Sequence, residues 1–342
     1  MARRPGMAEL AAAAGVSVAT VDRALNGRET VSAATRALIA ETALRLRHPA
    51  AARLTGGADE TRTIRLGVLL HKSGQEFYQN LARALRTAST SLPGVHIQLQ
   101  LDFAASQAPG EVAGLLRKMA ARSDVIAATA VNHPEITAAV EEVKAQGVPV
   151  FALLSDFALG ARAGYVGLDN LKVGRVAAWT ISLAARAPGK VAVFVGGARW
   201  HGHDLREAGF RAYLREHRPD LDVMETIVNL ETRRLTRDAT LSVLTRHRDL
   251  RGIYVAGGGM EGAIAALRQT RAPGEVTLVV NELTAESRAA LASRWVTMVD
   301  ATPLAELART VMDLAVRTGE PGVAAVGLQH FLPMQLHVTE SI

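Results

Sequence analysis

Short apolar runs alternate with amphipathic stretches of helical spacing from Ile64 almost to the C-terminus. A strand that is apolar at every position is buried on both faces, which is typical of parallel sheets covered by helices on each side. Repeated units of this kind predict an α/β fold with doubly wound parallel sheets. A stretch of about 280 residues is long for one such sheet and natural for two lobes. We interpret as strands the runs 64–70, 97–101, 125–129, 148–153, 191–195, 253–256 and 276–280.

The first fifty residues have a different pattern, that of three short helices. Apolar spacing predicts a helix over 7–14 that ends at Gly15, because glycine adopts the left-handed conformation without steric cost. Ser17 and Ser32 are placed to cap the second and third helices. Two helices joined by a tight turn have the layout of a helix-turn-helix, whose second helix enters the major groove of DNA.

The net charge of +6 is concentrated in this helical segment. Residues 1–65 hold ten arginines and six acidic residues, a balance of +4, which leaves +2 for the rest of the chain. A small basic segment on a nearly neutral body is typical of a protein with a polyanionic partner. Charge alone is equally consistent with basic residues that only keep the surface soluble. Together with the tight turn and the capped second helix, it favours DNA binding.

Composition excludes several other classes of protein. The chain has no cysteine, so it has no disulfide framework, no thiolate metal site and no cysteine nucleophile. No apolar run reaches the ~18 residues that a membrane span requires. The N-terminus contains two arginines, as a signal peptide would, but Glu9, Asp22 and Arg23 interrupt any apolar core behind them. We therefore expect a cytoplasmic protein with no membrane partner.

The three predicted helices, which we call the head, closely resemble the DNA-binding head of the LacI/GalR family of bacterial transcriptional regulators. The resemblance rests on residues 10–27, which read LAAAAGVSVATVDRALNG, and on Val31-Ser32 and Thr35-Arg36. The body is similar to the family's two-lobed sugar-binding domain, which is related to periplasmic binding proteins. We accordingly expect a helix-turn-helix DNA-binding head with a short hinge over 1–54, a linker over 55–63, a first effector-binding lobe of 64–163 plus 295–319, and a second lobe of 164–294 plus 320–342.

The resemblance implies that the second helix of the head reads DNA. Val18 and Ala19 would lie against base edges, and Arg23 would reach a base or a phosphate, since a guanidinium can bridge O6 and N7 of guanine. Two positions depart from the family pattern: Gly6 stands where a Ser or Thr cap is usual, and Asp22 where Ser is most frequent. Register on the DNA backbone would be fixed by Ser17, Thr20, Asn26 and Thr30.

The segment 49–54 resembles the family's hinge, which folds on DNA and inserts a leucine into the minor groove. The resemblance implies Leu54 as this wedge and Arg53 as a phosphate partner. The segment is shorter than usual, and Gly56 and Gly57 follow it closely. The end of a flexible linker therefore stays open as an alternative.

The effector would bind in the crevice beyond the carboxyl ends of the strands. A hydroxyl-rich ligand needs flat aromatic faces for its C–H surfaces, and charged or amide groups for its hydroxyls. Arg206, within Leu-Arg-Glu-Ala-Gly-Phe, resembles the family's ligand-contacting arginine. The other candidates follow predicted strands and supply both kinds of group: Phe77, Tyr78, Asn132, Asp156, Trp200, Asn281 and Glu282.

Two other classes of function stay open. Gly257, Gly259 and Gly262 have G-x-G-x-x-G spacing after an apolar strand, and Glu282 lies about twenty residues further on, as in a dinucleotide site. An NAD-linked oxidoreductase is therefore one alternative, although such a motif usually opens the first βα unit of a domain. An intracellular solute-binding protein without a DNA role is the other.

No catalytic set emerges, and His201 and His203 lack a third ligand at suitable spacing for a metal. We expect no enzyme activity, no metal and no cofactor. The patterns predict a sequence-specific regulator, expected to act as a repressor that binds a pseudo-palindromic double-stranded operator as a homodimer. A small effector, expected to be a sugar or polyol, would control it by binding one of two conformational states more tightly.

Overall fold

The structure is a computed structural model that describes residues 5–26, 31–51, 54, 62–197, 199–318 and 328–342. The chain divides into two compact units between Arg62 and Thr63. The first unit is helical, and the second is an α/β body with two sheets. The predicted fold class is confirmed.

The head consists of three helices around a small apolar core. Leu10, Val21 and Ile39, one from each helix, are fully buried at its centre. The turn between the first two helices passes through Gly15 at a φ of +65°, where an L side chain would be strained. The helices are α1 (Met7–Ala13), α2 (Val18–Asn26) and α3 (Ala33–Arg45).

The hinge leucine is buried in the core of the head. Leu54 is only 3% exposed, and its N–H donates to the carbonyl of Ala50 at 3.0 Å, as in a helical turn. In this conformation the Leu54 side chain packs in the core of the head and does not project as a wedge. Insertion into a minor groove would require Leu54 to leave this core. Arg53 lies outside the described residues.

The first lobe of the body is a six-stranded sheet with apolar clusters on its two faces. The spatial order of its strands is β12-β5-β4-β3-β1-β2, and the central pairs are parallel. The strands are β1 (Arg62–His71), β2 (Val95–Ala104), β3 (Val125–Ala128), β4 (Val150–Leu153), β5 (Gly164–Gly167) and β12 (Leu328–Phe331).

The second lobe is a seven-stranded sheet of the same kind. Its order is β13-β11-β10-β9-β6-β7, with β8 also paired to β6, and β13 runs antiparallel to β11. The strands are β6 (Gly189–Val195), β7 (Leu221–Val223), β8 (Ile227–Val228), β9 (Leu250–Val255), β10 (Thr277–Asn281), β11 (Met298–Ala301) and β13 (Gln335–His337).

The helices of the body follow the strands in the predicted alternation. They are α4 (Glu76–Ser89), α5 (Pro109–Ala120), α6 (Pro134–Ala145), α7 (Asn170–Ala184), α8 (His201–His217), α9 (Arg233–Arg246), α10 (Met260–Thr270), α11 (Ala285–Ala292) and α12 (Leu304–Thr318), with a final 3₁₀ turn at Thr339–Ser341.

Sheet membership differs from the expected lobe boundaries at three strands. β5 pairs with β4 and so lies in the first sheet, although 164–167 was assigned to the second lobe. β11 pairs with β10 in the second sheet, although it was assigned to the first lobe, and β12 pairs with β5 in the first, although it was assigned to the second. Short strands look alike locally, and long-range pairing decides which sheet each one joins.

Candidate functional site

A cavity of about 530 Å³ lies between the two lobes of the body. Its walls come from residues that follow the carboxyl ends of β1, β4, β6, β9 and β10, which is where open α/β sheets bind ligands. Aromatic rings form part of the wall, with the Phe77 and Tyr78 rings edge to face at 5.2 Å. Six of the eight predicted effector residues line the cavity: Phe77, Tyr78, Trp200, Arg206, Asn281 and Glu282.

The other two predicted effector residues lie outside this cavity. Asn132 is exposed and borders a separate surface depression, and its N–H donates to the Arg199 carbonyl at 2.9 Å. Asp156 forms a bidentate ion pair with Arg162, whose Nη2 donates to Oδ2 at 2.6 Å. Neither residue lines this cavity, because Asn132 faces solvent and Asp156 neutralises a buried guanidinium, and contact of these two with an effector stays a prediction.

Arg206 is a buried cation in the wall of the cavity. It is 8% exposed, and its Nε donates to Asn170 Oδ1 at 2.7 Å while Nη1 donates to the Ala256 carbonyl at 2.8 Å. Within the described residues, Nη2 has no hydrogen-bond partner in the protein. A guanidinium that is held at two nitrogens and open at the third is a preorganised donor to a ligand oxygen.

Unused hydrogen-bonding capacity surrounds Asn281. Its Nδ2 donates to Oδ1 of Asp300, which is fully buried. Burial raises the pKa of Asp300 to about 8, although the positive charge of Arg206 opposes the change. Asn281 Oδ1, Asp300 Oδ2 and the Tyr254 hydroxyl are buried without a partner among the described residues. Buried polar groups of this kind usually bind ordered water or a ligand.

Glu282 is held rigidly beside Asn281. Its backbone φ is +72°, and its N–H donates to the Asp300 carbonyl at 2.7 Å. Its carboxylate accepts from Thr302 N at 3.0 Å and from Thr302 Oγ1 at 2.7 Å. Burial raises the pKa of Glu282, while these two hydrogen bonds oppose that rise. The Glu282 carboxyl is therefore fixed in position where it borders the cavity.

An ion pair joins the two lobes across the cleft, between Lys72 after β1 and Glu231 after β8. The Lys72 ammonium donates to Glu231 Oε2, and the side chains are 19% and 11% exposed. Burial alone would raise the pKa of Glu231, but the nearby His203 ring, the Lys72 charge and the Gly258 N–H lower it to about 2. Both residues have φ near +50°, which is strained for a side chain other than glycine.

Two further hydrogen bonds close the lobes on the cavity. The Glu76 carboxylate of α4 accepts from Ala285 N, the first residue of α11, at 3.0 and 3.2 Å. Ser155 Oγ accepts from Gly202 N at 3.1 Å. These links, like the Lys72–Glu231 pair, join residues 47 to 209 positions apart, so no local sequence pattern predicts them.

His203 lies beside this ion pair as a neutral ring. Its Nδ1 accepts from Gly196 N at 3.1 Å, which leaves the proton on Nε2, 3.6 Å from Glu231 Oε1. Burial lowers the pKa of His203 to about 4, so the ring stays uncharged at neutral pH. Among the described residues, no group of three His, Asp or Glu side chains is placed to hold a metal ion.

Packing accounts for the glycine run that resembles a dinucleotide fingerprint. A Cβ on Gly257 would lie 2.6 Å from the His203 ring, and one on Gly262 would lie 2.2 Å from the Arg233 carbonyl. Gly259 has a φ of +92°, and a Cβ on it would lie 2.4 Å from Thr236 Oγ1. The Gly258 N–H, which a phosphate would need, donates to Glu231 at 3.0 Å. The spacing therefore serves close packing, and a carboxylate of the protein occupies the anion position.

In the head, the predicted reading face of α2 is open to solvent. Val18 is 47% exposed, and Ser17, Ala19 and Arg23 are also exposed. Ser17 caps the helix by accepting from Thr20 N at 3.1 Å. Thr30 and the Asn26 side chain lie outside the described residues. The Gly6 N–H donates to Glu9 Oε2 at 3.0 Å, so Glu9 binds the start of α1 although Gly6 has no capping side chain.

Both units of the chain match known protein families. Residues 66–321 match the periplasmic binding protein domain family, and residues 6–46 match the bacterial regulatory proteins of the lacI family. No curated protein matches the chain significantly. Within the described residues, no helix is both long enough and apolar enough to cross a membrane.

Solved structures share the fold of the body at low sequence identity. A solute-binding protein from Agrobacterium vitis, bound with α-D-tagatopyranose, is 19% identical with a TM-score of 0.73, and the alignment covers 81% of this chain and 95% of that chain. One from Burkholderia graminis, in complex with D-arabinose, is 17% identical with a TM-score of 0.74, and the alignment covers 82% of this chain and 97% of that chain. One from Bacillus halodurans, with bound myo-inositol, is 16% identical with a TM-score of 0.72, and the alignment covers 82% of this chain and 96% of that chain.

The family matches agree with the geometry of both units, a helix-turn-helix head and a two-lobed body closed on a cavity. The chain belongs to the periplasmic binding protein domain family and, with its lacI-family head, has the architecture of the LacI/GalR transcriptional regulators.

Proposed function

We propose that the protein is a cytoplasmic, sequence-specific transcriptional repressor whose DNA affinity is set by a small sugar or polyol. It would bind a pseudo-palindromic operator as a homodimer and would have no enzyme activity. The observation that carries this proposal is the exposed face of α2, where Val18, Ala19 and Arg23 project from a helix capped by Ser17. Side chains in these positions on a recognition helix reach base edges in the major groove.

Two kinds of DNA contact follow from this face. Val18 and Ala19 offer apolar surface to a thymine methyl group, and Arg23 offers two N–H groups to a guanine or a phosphate. Ser17 and Thr20 would bind phosphates and fix the register without specifying sequence. Arg53, Asn26 and Thr30 complete the proposed contact set, with Leu54 joining it only on release from the head core.

The cleft supports control by a small hydroxylated molecule. The three solute-binding proteins above were solved with tagatose, arabinose and inositol bound, and this chain shares their fold. Arg206 Nη2 offers a donor and the Glu282 carboxyl offers an acceptor, and Trp200 and Phe77 offer aromatic rings. A ligand that binds the closed lobes more tightly than the open ones would shift the equilibrium between them and thereby change DNA affinity.

The test is selection of bound genomic fragments with the full-length protein at about 50 and 200 mM salt. Enrichment of one inverted repeat that survives the higher salt supports a specific regulator. Binding that is indifferent to sequence and collapses with salt leaves only the phosphate interaction and refutes the proposal. Arg23→Ala on α2 should weaken binding to that repeat at least about tenfold, whereas Arg45→Ala, an exposed arginine at the end of α3, is the matched control.

A further inference from the structure

Acidic groups outnumber basic groups in the lining of the cleft. Five glutamates border the cavity against two arginines, Arg206 and Arg233. Two of the five are neutralised: Glu231 by Lys72, and Glu286 by Arg233, whose Nη1 lies 3.3 Å from the carboxylate. Three glutamates and one arginine, Arg206, remain without such a partner, which leaves a surplus of two negative charges. These glutamates are Glu76, Glu261 and Glu282.

Carboxylates from both lobes meet on one side of this cavity. Glu76 belongs to α4 of the first lobe and accepts from Ala285 N of the second, so it lies next to Glu286. Glu261 is in the first turn of α10. Burial raises the pKa of Glu261, the charges of Glu286 and Glu76 raise it further, and Arg233 opposes them. We name Glu76, Glu261 and Glu286 the acidic rim.

A second observation in the same cavity also points to a ligand. Arg206 is more than nine-tenths buried, and among the described residues its Nη2 has no protein acceptor. This nitrogen can therefore donate to a hydroxyl or carboxylate oxygen of a molecule in the cavity. The described residues offer no metal site in which His, Asp or Glu side chains would use the rim. The surplus negative charge is therefore suited to an organic cation that also carries oxygen atoms.

We propose that the effector is an amine-bearing sugar or polyol whose ammonium group pairs with Glu76 and Glu261 while its hydroxyl groups bind Arg206 and Asn281. This inference rests on the proposed function of the cleft as the effector site. Closure of the lobes brings the Glu76 carboxylate of the first lobe towards Glu261 of the second, and repulsion between these like charges offsets part of the gain from the hydrogen bonds that Ala285 N donates to Glu76. An ammonium group between them converts that repulsion into attraction, so the same charge provides both selectivity and the drive to close.

The experiment measures the melting temperature and dissociation constant of the full-length protein with three matched sets of sugars. Each set contains a neutral sugar, its 2-amino derivative and its uronic acid, built on glucose, galactose and mannose, at pH 7. We expect one amino sugar to bind at least about tenfold more tightly than its neutral parent, and the acid to bind most weakly. The paired variant Glu76→Gln with Glu261→Gln should abolish this preference, so that the amino sugar and its neutral parent bind with equal affinity.

Glu141→Gln with Asp313→Asn removes the same number of charges from exposed helix positions outside the cavity and is the matched control. If this control loses the preference equally, net charge rather than the rim is responsible and the inference fails. A neutral sugar that binds as tightly as its amino derivative also refutes it, yet leaves a sugar-controlled regulator intact. A panel in which no amino sugar binds refutes the inference as well, while fragment selection still decides the DNA-binding function separately.

Discussion

Replacing Lys72 with Met should open the lobes without unfolding them. Methionine keeps most of the length of the lysine side chain and removes its charge, so the change isolates the ion pair with Glu231. In the closed conformation Glu231 would then keep the Gly258 N–H at 3.0 Å but would lose its cationic partner while only 11% exposed. Opening exposes the carboxylate to water and relieves this cost.

The size of the effect follows from the burial of the pair. A hydrogen bond to a charged group contributes ~1.5–3 kcal/mol, which corresponds to roughly 10- to 150-fold in the ratio of closed to open protein. Leaving a charge fully buried and unpaired would cost about 3–5 kcal/mol. Because the cleft can open, we expect the smaller figure to govern closure and the free energy of global unfolding to change less.

The absence of cysteine makes a direct distance measurement possible. Arg83→Cys on α4 and Ala289→Cys on α11 place spin labels at exposed positions on the two helices that meet at Glu76 and Ala285. Pulsed electron–electron double resonance should give one short distance between the two spin labels in the otherwise unaltered protein. In Lys72→Met it should give a second population with a longer distance. Lys172→Met is the control, since Lys172 is 76% exposed and pairs weakly with Asp169 at 3.4 Å.

Identical distance distributions for Lys72→Met and its parent would refute the reasoning, because they would mean that the pair contributes nothing to closure. An equal opening in Lys172→Met would refute it differently, by tracing the effect to charge in general rather than to this contact.

Two further predictions concern buried charges. Arg206→Ala should abolish the effector-induced rise in melting temperature while DNA affinity without effector stays within about twofold, as measured by titration of labelled operator; a normal effector response would mean that the ligand binds elsewhere. Asp300 has a pKa of about 8 in the folded protein and an ordinary value of 3.8, so the native state holds the extra proton and the free energy of unfolding should fall as pH rises between these values. Asp300→Asn should reduce that slope in urea unfolding, and a slope equal to that of the parent would contradict the assignment.

Local pattern was sufficient to predict strands made only of apolar residues, but it missed the equally buried β5 and β11, which contain glycine or Asp300. β3 and β4 are buried at every position, and their apolar runs were predicted within a few residues. β12 is exposed at all four positions and β8 has two residues, so neither carries a hydrophobic signal. Their existence depends on pairing with distant strands, which no local window contains.

The site divides in the same way. The rule that ligands bind beyond strand ends was enough to predict Trp200, Arg206 and Asn281. Asp156 also follows a strand but lies outside the cavity, because a carboxylate in that position serves equally well as the counter-ion of a nearby arginine. It did not identify Asp300, which is fully buried behind Asn281, since only the packed structure brings those two together.

The three crossings of the chain between the lobes have a consequence for synthesis on the ribosome. β12 and α12, with Leu307 and Val311 in the core of the first lobe, are made only after all of the second lobe up to Ala301. At about 5–20 residues per second, the roughly 130 residues in between delay completion of the first sheet by some ten seconds. Throughout that interval β3 and β5 lack part of their apolar cover, so the unfinished first lobe exposes core residues while the second lobe is being made.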